Sequence, residues 1–304
     1  MTPALRQLLP TTWETPQPDP SWYRDPALKD ALAACKATTK EHATSFYFSS
    51  FPLSKEKKSA AYAVYAFCRW VDDVIDEAPD PSKVDPAMVS GELDKLLAGE
   101  SALPFAPAFR AVTEQYGIPK NFYDDLIEGC CMDLRPVLIQ TYEQLEVYCY
   151  YVASVVGLIM SKLFGLKDLE GVERAVEMGV AMQLTNVLRD VREDFENGRI
   201  YLPKEEMVEF NTGPECIAAR RVNDPQWTAF MKFQVQRAKD TYAAAEAGLK
   251  LLAGDGSRLC ARMMSRVYGG ILDEIIRHDY DVLTERRYVP TARKVRIAMR
   301  ALWM

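Results

Sequence analysis

Two groups of carboxylates stand at helical spacing in this chain. Residues 65–77 read YAFCRWVDDVIDE. Asp72 and Asp76 are four apart, which on a helix puts them about 40° apart on one face, with Asp73 turned about 100° away. Carboxylates this close repel one another unless a cation separates them. Oxygen donors suit Mg²⁺, which takes one or two carboxylates and completes its shell with phosphate oxygens and water. Arg69, three residues before Asp72, shares that face and can hold a carboxylate or a diphosphate. The plainer alternative is an acidic, solvated helix end. Against it, residues 60–68, AAYAVYAFC, are apolar around most of a helix, so charges that continue it are expected to face a cavity.

The second group lies in residues 179–203, GVAMQLTNVLRDVREDFENGRIYLP. Gln183, Asn186, Asp190 and Asp194 fall within roughly 80° of one another on a helix. Met182, Leu184, Val187, Leu188 and Val191 occupy the other faces. A polar stripe on an apolar helix is costly to bury without partners. Metal and diphosphate would supply them; a stripe facing water is the alternative. Arg189 and Arg192 add donors beside the carboxylates, and Arg199 follows in the loop. Taken together, two stripes on separate helices can hold a small Mg²⁺ cluster, with Mn²⁺ as the alternative ion. Such a cluster stabilises a departing pyrophosphate as a Lewis acid. The chain has no P-loop and no Gly-rich dinucleotide turn, so ATP chemistry fits poorly and an apolar prenyl chain fits well.

The elements that must carry these residues read as helices. Apolar residues recur at three and four positions through 27–47, 54–77, 106–116, 119–133, 142–165, 168–195, 225–252, 257–280 and 290–303. Breaks fall at 78–86, 98–104, 116–119 and 196–203, where Pro, Gly and Asp cluster. Residues 1–25 hold five prolines and read as an irregular arm. Residues 26–304 read as one all-α domain of about nine or ten helices.

Composition narrows the function further. The 304 residues are 48% hydrophobic, enough for a large core, and carry a net charge of −6, which leaves no basic footprint for nucleic acid. A local basic patch for diphosphates is still open. Seven cysteines, an odd number without a CxxC pair, read as free buried thiols in a reducing, cytoplasmic setting rather than as a zinc site. The first twenty residues do not read as a signal peptide. No run of about 18 uninterrupted apolar residues occurs, and residues 151–160 read as a buried helix. Peripheral contact with a membrane, through the arm or the C-terminal tail, remains an expectation because the product would be apolar. Met178, Met182, Met263 and Met264 read as core filler.

With both stripes in view, the chain resembles the squalene/phytoene synthase family from about residue 36 to residue 300. The most specific stretch is 183–203; others are 148–157 (YCYYVASVVG), 128–135 (EGCCMDLR), 221–238 and 271–289. The resemblance implies a single-domain isoprenoid synthase fold with helices around a central cavity. It also implies Mg²⁺-dependent head-to-head joining of two prenyl diphosphates through a cyclopropylcarbinyl diphosphate. By the same resemblance Asp72, Asp73 and Asp76 match one metal motif, and Asp190 and Asp194 the other. Gln183 and Asn186 match amide positions of the substrate site. Arg69, Arg189 and Arg286 match diphosphate-binding arginines, and His42 matches a position near one diphosphate. Tyr148 and Tyr268 match tyrosines near the reacting allylic centre. The stretches 221–238 and 271–289 resemble the phytoene synthase branch, which joins two geranylgeranyl diphosphates to 15-cis-phytoene in carotenoid biosynthesis. The DDVID form of the first motif looks more like dehydrosqualene and bacterial squalene-forming enzymes, which use farnesyl diphosphate; NADPH is implied only for squalene. Ser49 and Ser50 are expected to leave depth for a long chain if they line the tunnel floor. A non-catalytic paralogue acting as an assembly factor would have lost aspartates, and all five matching carboxylates are present.

Overall fold

The computed structural model describes residues 1–76 and 83–302 and, within these, all side chains except those of Asp76, Ala298, Ala301 and Leu302. Helices dominate. In chain order they are α1 (Pro3–Gln7), α2 (Lys29–His42), α3 (Thr44–Ser49), α4 (Lys55–Asp76), α5 (Pro86–Ala98), α6 (Ala106–Gln115), α7 (Lys120–Met132) and α8 (Tyr142–Cys149). They continue as α9 (Val155–Phe164), α10 (Leu169–Glu196), α11 (Lys204–Glu209), α12 (Pro214–Ala218), α13 (Pro225–Glu246), α14 (Ser257–Arg277) and α15 (Thr291–Leu302). Among the described residues the strands are two two-residue pieces, β1 (Val137–Leu138) and β2 (Arg199–Ile200), paired in parallel.

The 28-residue α10 is the axis of the fold and packs against α9, α13 and α14. Asp168 starts it by accepting from the Gly171 amide at 3.0 Å, an N-cap contact that satisfies one of the orphan donors of the first turn. Val172, Val176, Val180, Leu184, Val187, Leu188 and Val191 are all buried along it, the apolar spacing expected of a helix enclosed on most sides. Helix α4 packs on α2, α6, α7 and α9. Its alanines at 60, 61, 63 and 66 are buried and admit close neighbours. Phe67 anchors the other face, stacked on Phe109 at 4.6 Å and edge-on to Tyr123 at 5.1 Å. Such ring pairs contribute about 0.5–1.5 kcal/mol beyond their buried area.

Several elements differ from the sequence expectation. Helix α5 occupies a stretch between two breaks that showed no clear period; Asp85 caps it and Gly99, at φ 79°, ends it. The segment expected at 27–47 is two helices, broken at Ala43. The arm is not wholly irregular. It holds α1 and a 3₁₀ turn at Trp22–Arg24, and it buries Leu5 and Trp22 against the core.

The run Tyr142–Phe164 is continuous, long and apolar enough to cross a membrane by length and composition, yet 61% of its most apolar window is buried inside the protein. At its middle, Tyr150–Ser154 forms a π turn. Two glycines make room for the bulge. A Cβ on Gly179 would lie 2.3 Å from Ser154 Cα, and one on Gly129 would lie 2.7 Å from Tyr151 Cβ. Ser154 Oγ donates to the Val176 carbonyl at 2.8 Å, locking the bulge to α10. π turns of this kind recur at functional sites, and this one turns Val152 and Ala153 into a cavity wall.

Candidate active site

An apolar cavity of about 340 Å³ runs between α4 and α10. From α4 it takes Ala61, Val64, Tyr65, Cys68 and Asp72, one helical stripe that turns polar at its end. From α10 it takes Gly171, Arg174, Ala175, Met178, Gly179, Met182, Gln183 and Asn186. From Gly171 to Asn186 is fifteen helical steps, about 22 Å at 1.5 Å per residue. The wall is therefore a deep, mostly apolar slot with Asp72, Gln183 and Asn186 at one end, while Arg174 enters it about one turn from the other. Met178, Met182 and Met264, expected as core filler, belong to this wall, while Met263 packs elsewhere against Leu259. Their polarisable, flexible side chains suit a lining that must fit a jointed apolar chain. A second hollow of about 470 Å³, lined in part by Met1, Tyr142 and Phe233, has none of the aspartates of either motif and is more polar.

At the polar end the two aspartate motifs behave differently. Asp72 reaches the cavity and accepts from the Cys130 thiol at 3.5 Å. Asp73 is turned aside and forms an ion pair with Arg69 one helical turn back. Asp76 closes α4, and its side chain lies outside the described residues. On α10, Asn186 Nδ2 donates to Gln183 Oε1 at 3.0 Å, so the two amides form one unit at the cavity rim. Asp190 is held by Arg189, with contacts of 2.8 and 2.5 Å, and by Arg286 at 2.8 Å. Arg286 also pairs with Glu193 at 3.3 Å, and Arg192 donates to the Thr284 carbonyl at 2.5 Å. The loop after α14 is thereby tied over the acidic end of α10. Asp194 is pushed up to about 7 by burial and by the nearby Asp190 charge, and Arg199 pulls it back only in part.

Does this donor set fit a divalent cation? Asn186 Oδ1 is buried without a hydrogen-bond partner. Asp194 is held far from its ordinary acidity for want of compensating positive charge. Both are oxygen donors, and Asp72 of α4 lines the same cavity as Asn186. A hard cation satisfies all three, so the residues fit. Among the described residues no three carboxylates, histidines or thiols converge into a ready-made cage. Like-charged groups spread apart when no cation draws them together, and an ion that keeps phosphate and water ligands does not need a closed protein cage.

The tyrosines take separate places. Tyr268 lines the cavity; burial pushes its phenol up, opposed by the neighbouring Arg189. Tyr148 lies outside the wall, in a cluster that sequence spacing did not bring out. Its hydroxyl donates to Asp133 Oδ2 at 3.0 Å, and Tyr201 donates to Asp133 Oδ1 at 2.6 Å. The two rings stack at 4.7 Å, and Arg199 donates to the Asp133 carbonyl at 3.1 Å. Burial, and then the Asp133 charge, push both phenols well up, so both are held as hydrogen-bond donors. The β1–β2 pairing brings this cluster together by laying the segment after α7 beside the segment after α10. Asp133 and Tyr201 were visible only as members of the 128–135 and 183–203 stretches.

His42 is exposed at the end of α2 beside Glu41, and the adjacent Ala43 is in the wall. Ser49 and Ser50 do not form the floor. Ser50 Oγ bonds Tyr62 Oη at 2.7 Å, which places it behind Phe46, the residue that does line the slot. All seven cysteines are free thiols.

Comparison with known proteins agrees with this geometry. The squalene/phytoene synthase family model matches residues 39–293. A 15-cis-phytoene synthase of Synechocystis sp. is 34% identical over 297 residues, covering 93% of this chain and 87% of that protein. One of Synechococcus elongatus is 35% identical over 285 residues, covering 88% and 91%. Among solved structures, a dehydrosqualene synthase in complex with ligand superposes with a TM-score of 0.83 at 28% identity, covering 93% of this chain and 98% of that one. A squalene synthase of Alicyclobacillus acidocaldarius gives 0.76 at 27% identity, covering 84% and 96%.

Proposed function

The chain belongs to the squalene/phytoene synthase family, and from that premise we propose that it is a prenyltransferase joining two geranylgeranyl diphosphates head to head to 15-cis-phytoene, a step of carotenoid biosynthesis. The observation that carries this reading is the slot itself: about 22 Å of mostly apolar wall along α10, with Asp72 of α4 and the Gln183 and Asn186 amides of α10 at one end.

Asp72, Asp73 and Asp76 on α4, and Asp190 and Asp194 on α10, would hold Mg²⁺ or Mn²⁺, which supplies Lewis-acid neutralisation of the leaving pyrophosphate. Arg69, Arg189 and Arg286 now hold carboxylates. Once those carboxylates turn to a cation, the same guanidiniums become donors for diphosphate oxygens. His42 stands at the end of α2 as a further diphosphate contact. The Gln183–Asn186 amide pair fixes the rim between diphosphate and prenyl chain. As the allylic C–O bond breaks, its electron pair leaves with pyrophosphate, and the 2,3 double bond of the second substrate attacks the cation. Loss of a proton closes the cyclopropane ring. Ionisation of that intermediate, rearrangement and a final proton loss give the product without a reductant. The ring face of Tyr268 offers negative potential to the cation, and the apolar wall keeps water from trapping it. Tyr148, whose hydroxyl is held by Asp133 and whose ring stacks on Tyr201, braces the segment that leads out of the second aspartate motif.

Incubation with Mg²⁺ and geranylgeranyl diphosphate, with and without NADPH, is expected to give a C40 hydrocarbon in both cases. Pyrophosphate release without any C40 or C30 product would refute the head-to-head reading. A second reading, C30 coupling of farnesyl diphosphate, is favoured by the DDVID motif and by the likeness to the dehydrosqualene synthase; a C30 product formed in preference to C40 would establish it. For location we propose the cytoplasmic side of a membrane in peripheral contact. The support is α15, where exposed Val295 and Met299 stand among Lys294, Arg296 and Arg300. Failure to co-sediment with anionic vesicles would refute that placement.

A further inference from the structure

At the end of the slot away from Asp72, Leu166, in the short connection between α9 and α10, is part of the wall. Its side chain lies flat over the first turn of α10: a Cβ on Gly171 would come within 2.3 Å of Leu166 Cδ1 and 2.9 Å of Cγ. The absence of a side chain at Gly171 is what lets Leu166 lie there. Asp168 already caps this helix through the Gly171 amide, and the position carries no left-handed backbone angle, so helix geometry does not call for glycine.

The backbone of Leu166 is clamped from outside. Its amide donates to the Ser161 carbonyl at 3.1 Å, past Gly165 in the left-handed region at φ 67°. Its carbonyl accepts two hydrogen bonds from the N-terminal arm, Trp13 Nε1 at 3.0 Å and Thr15 Oγ1 at 2.8 Å. The arm is in turn anchored to α9. Buried Lys162 donates to the Glu14 carbonyl at 2.7 Å, and its ammonium sits 4.2 Å from the centre of the Trp13 ring. Both lone pairs of the carbonyl of one wall residue are thus occupied by a distant segment.

Resting on the site reading above, we propose that Leu166, laid over Gly171 and latched by Trp13 and Thr15, is the floor that sets the length of prenyl chain the enzyme accepts. The floor responds in two directions. Leu166→Ala removes the plate and deepens the slot. Gly171→Ala pushes the plate off α10, and the free space beside it is the cavity, so the slot becomes shallower. Removing the latch with Trp13→Phe plus Thr15→Val loosens the plate without changing its volume.

The test measures binding of non-ionising thiolodiphosphate analogues of the C15, C20 and C25 prenyl diphosphates to the full chain with Mg²⁺. Coupling of the natural C20 substrate is followed in parallel. Leu166→Ala should move the C25-to-C20 preference towards C25 by about tenfold, and Gly171→Ala should move the C20-to-C15 preference towards C15 by a like factor, the scale at which apolar pockets discriminate carbon units. The latch variant should shift in the direction of Leu166→Ala by a smaller factor. Melting temperatures identify variants that fail to fold. Gly171→Ala has the more helix-favouring residue and tests the floor even if Leu166→Ala does not fold. Preferences that stay within about twofold of the parent in folded variants would overturn the floor while leaving the coupling reading intact. Chain-length shifts in a protein that couples nothing would do the reverse, and a parent that binds none of the analogues would overturn both.

Discussion

Replacing Asp194 by asparagine should make the metal-free protein more stable while removing its activity. Asp194 is held at about 7, against an ordinary value of 3.8, because burial and the Asp190 charge disfavour its ionised form and Arg199 offsets them only in part. An acid with its folded value raised binds its proton more tightly in the folded state. It therefore costs nothing at acid pH, and the cost grows as pH rises from about 4 to about 7. About three pH units at about 1.36 kcal/mol each set a ceiling of about 4 kcal/mol. Relaxation of Arg199, which loses a charged neighbour, brings the expected gain at about pH 8 to roughly 1–2 kcal/mol, or a melting temperature higher by a few degrees. Thermal unfolding of the parent and Asp194→Asn in a chelator, at about pH 8 and about pH 4.5, reads this directly. The gain should shrink at the acid pH, and added Mg²⁺ should stabilise the parent more than the variant at the basic one. A variant no more stable at pH 8, or one whose advantage is larger in acid, would show that Asp194 is not an uncompensated carboxylate. The expected gain at about pH 8 would show that the site stores destabilisation for a cation, the trade between stability and activity common at functional sites.

Other perturbations separate chemistry from scaffold. Asp72→Ala should abolish hydrocarbon formation with little change in melting temperature, since Asp72 lies on the exposed end of α4; an active variant, read by product mass, would remove it from the metal set. Asp133→Asn replaces one of the two oxygens that accept from Tyr148 and Tyr201 with an NH2 donor, leaving one phenol without an acceptor. It should lower kcat by about ten- to a hundredfold, the range seen for supporting hydrogen-bond partners, while circular dichroism stays unchanged; full activity would count against a role for the cluster. Gly179→Ala should cost about 1–3 kcal/mol in urea unfolding despite the better helix propensity of alanine, because its Cβ would meet the Ser154 backbone at 2.3 Å; a neutral result would mean that the π turn gives way.

Some of the site was legible because helices carry their own ruler. The three-and-four spacing that put Asp72 and Asp76 on one face, and Gln183, Asn186, Asp190 and Asp194 on another, depends only on helix geometry. The structure forms α4 and α10 where the apolar period required them. What lines the slot was not legible. A methionine at helical spacing reads the same whether it meets another helix or an empty channel, so Met178 and Met182 could not be told from Met263. Ser50 illustrates the converse: small and near the right stretch, it is turned behind Phe46 and bonded to Tyr62.

The amino-acid pattern alone determined an all-α chain, the two acidic helices, the free cysteines and, through the 183–203 stretch, the family. It did so because each of these rests on short-range spacing or on contiguous residues. Tertiary structure decided which oxygens meet. Asp133 is brought to Tyr201, 68 residues on, by a two-residue strand pairing, and Arg286 to Asp190, 96 residues back, by the loop folded over α10. It also placed Trp13 on the carbonyl of Leu166, 153 residues away, at the floor of the slot. Contacts at such separations are chosen by packing of the whole core, which no local period records.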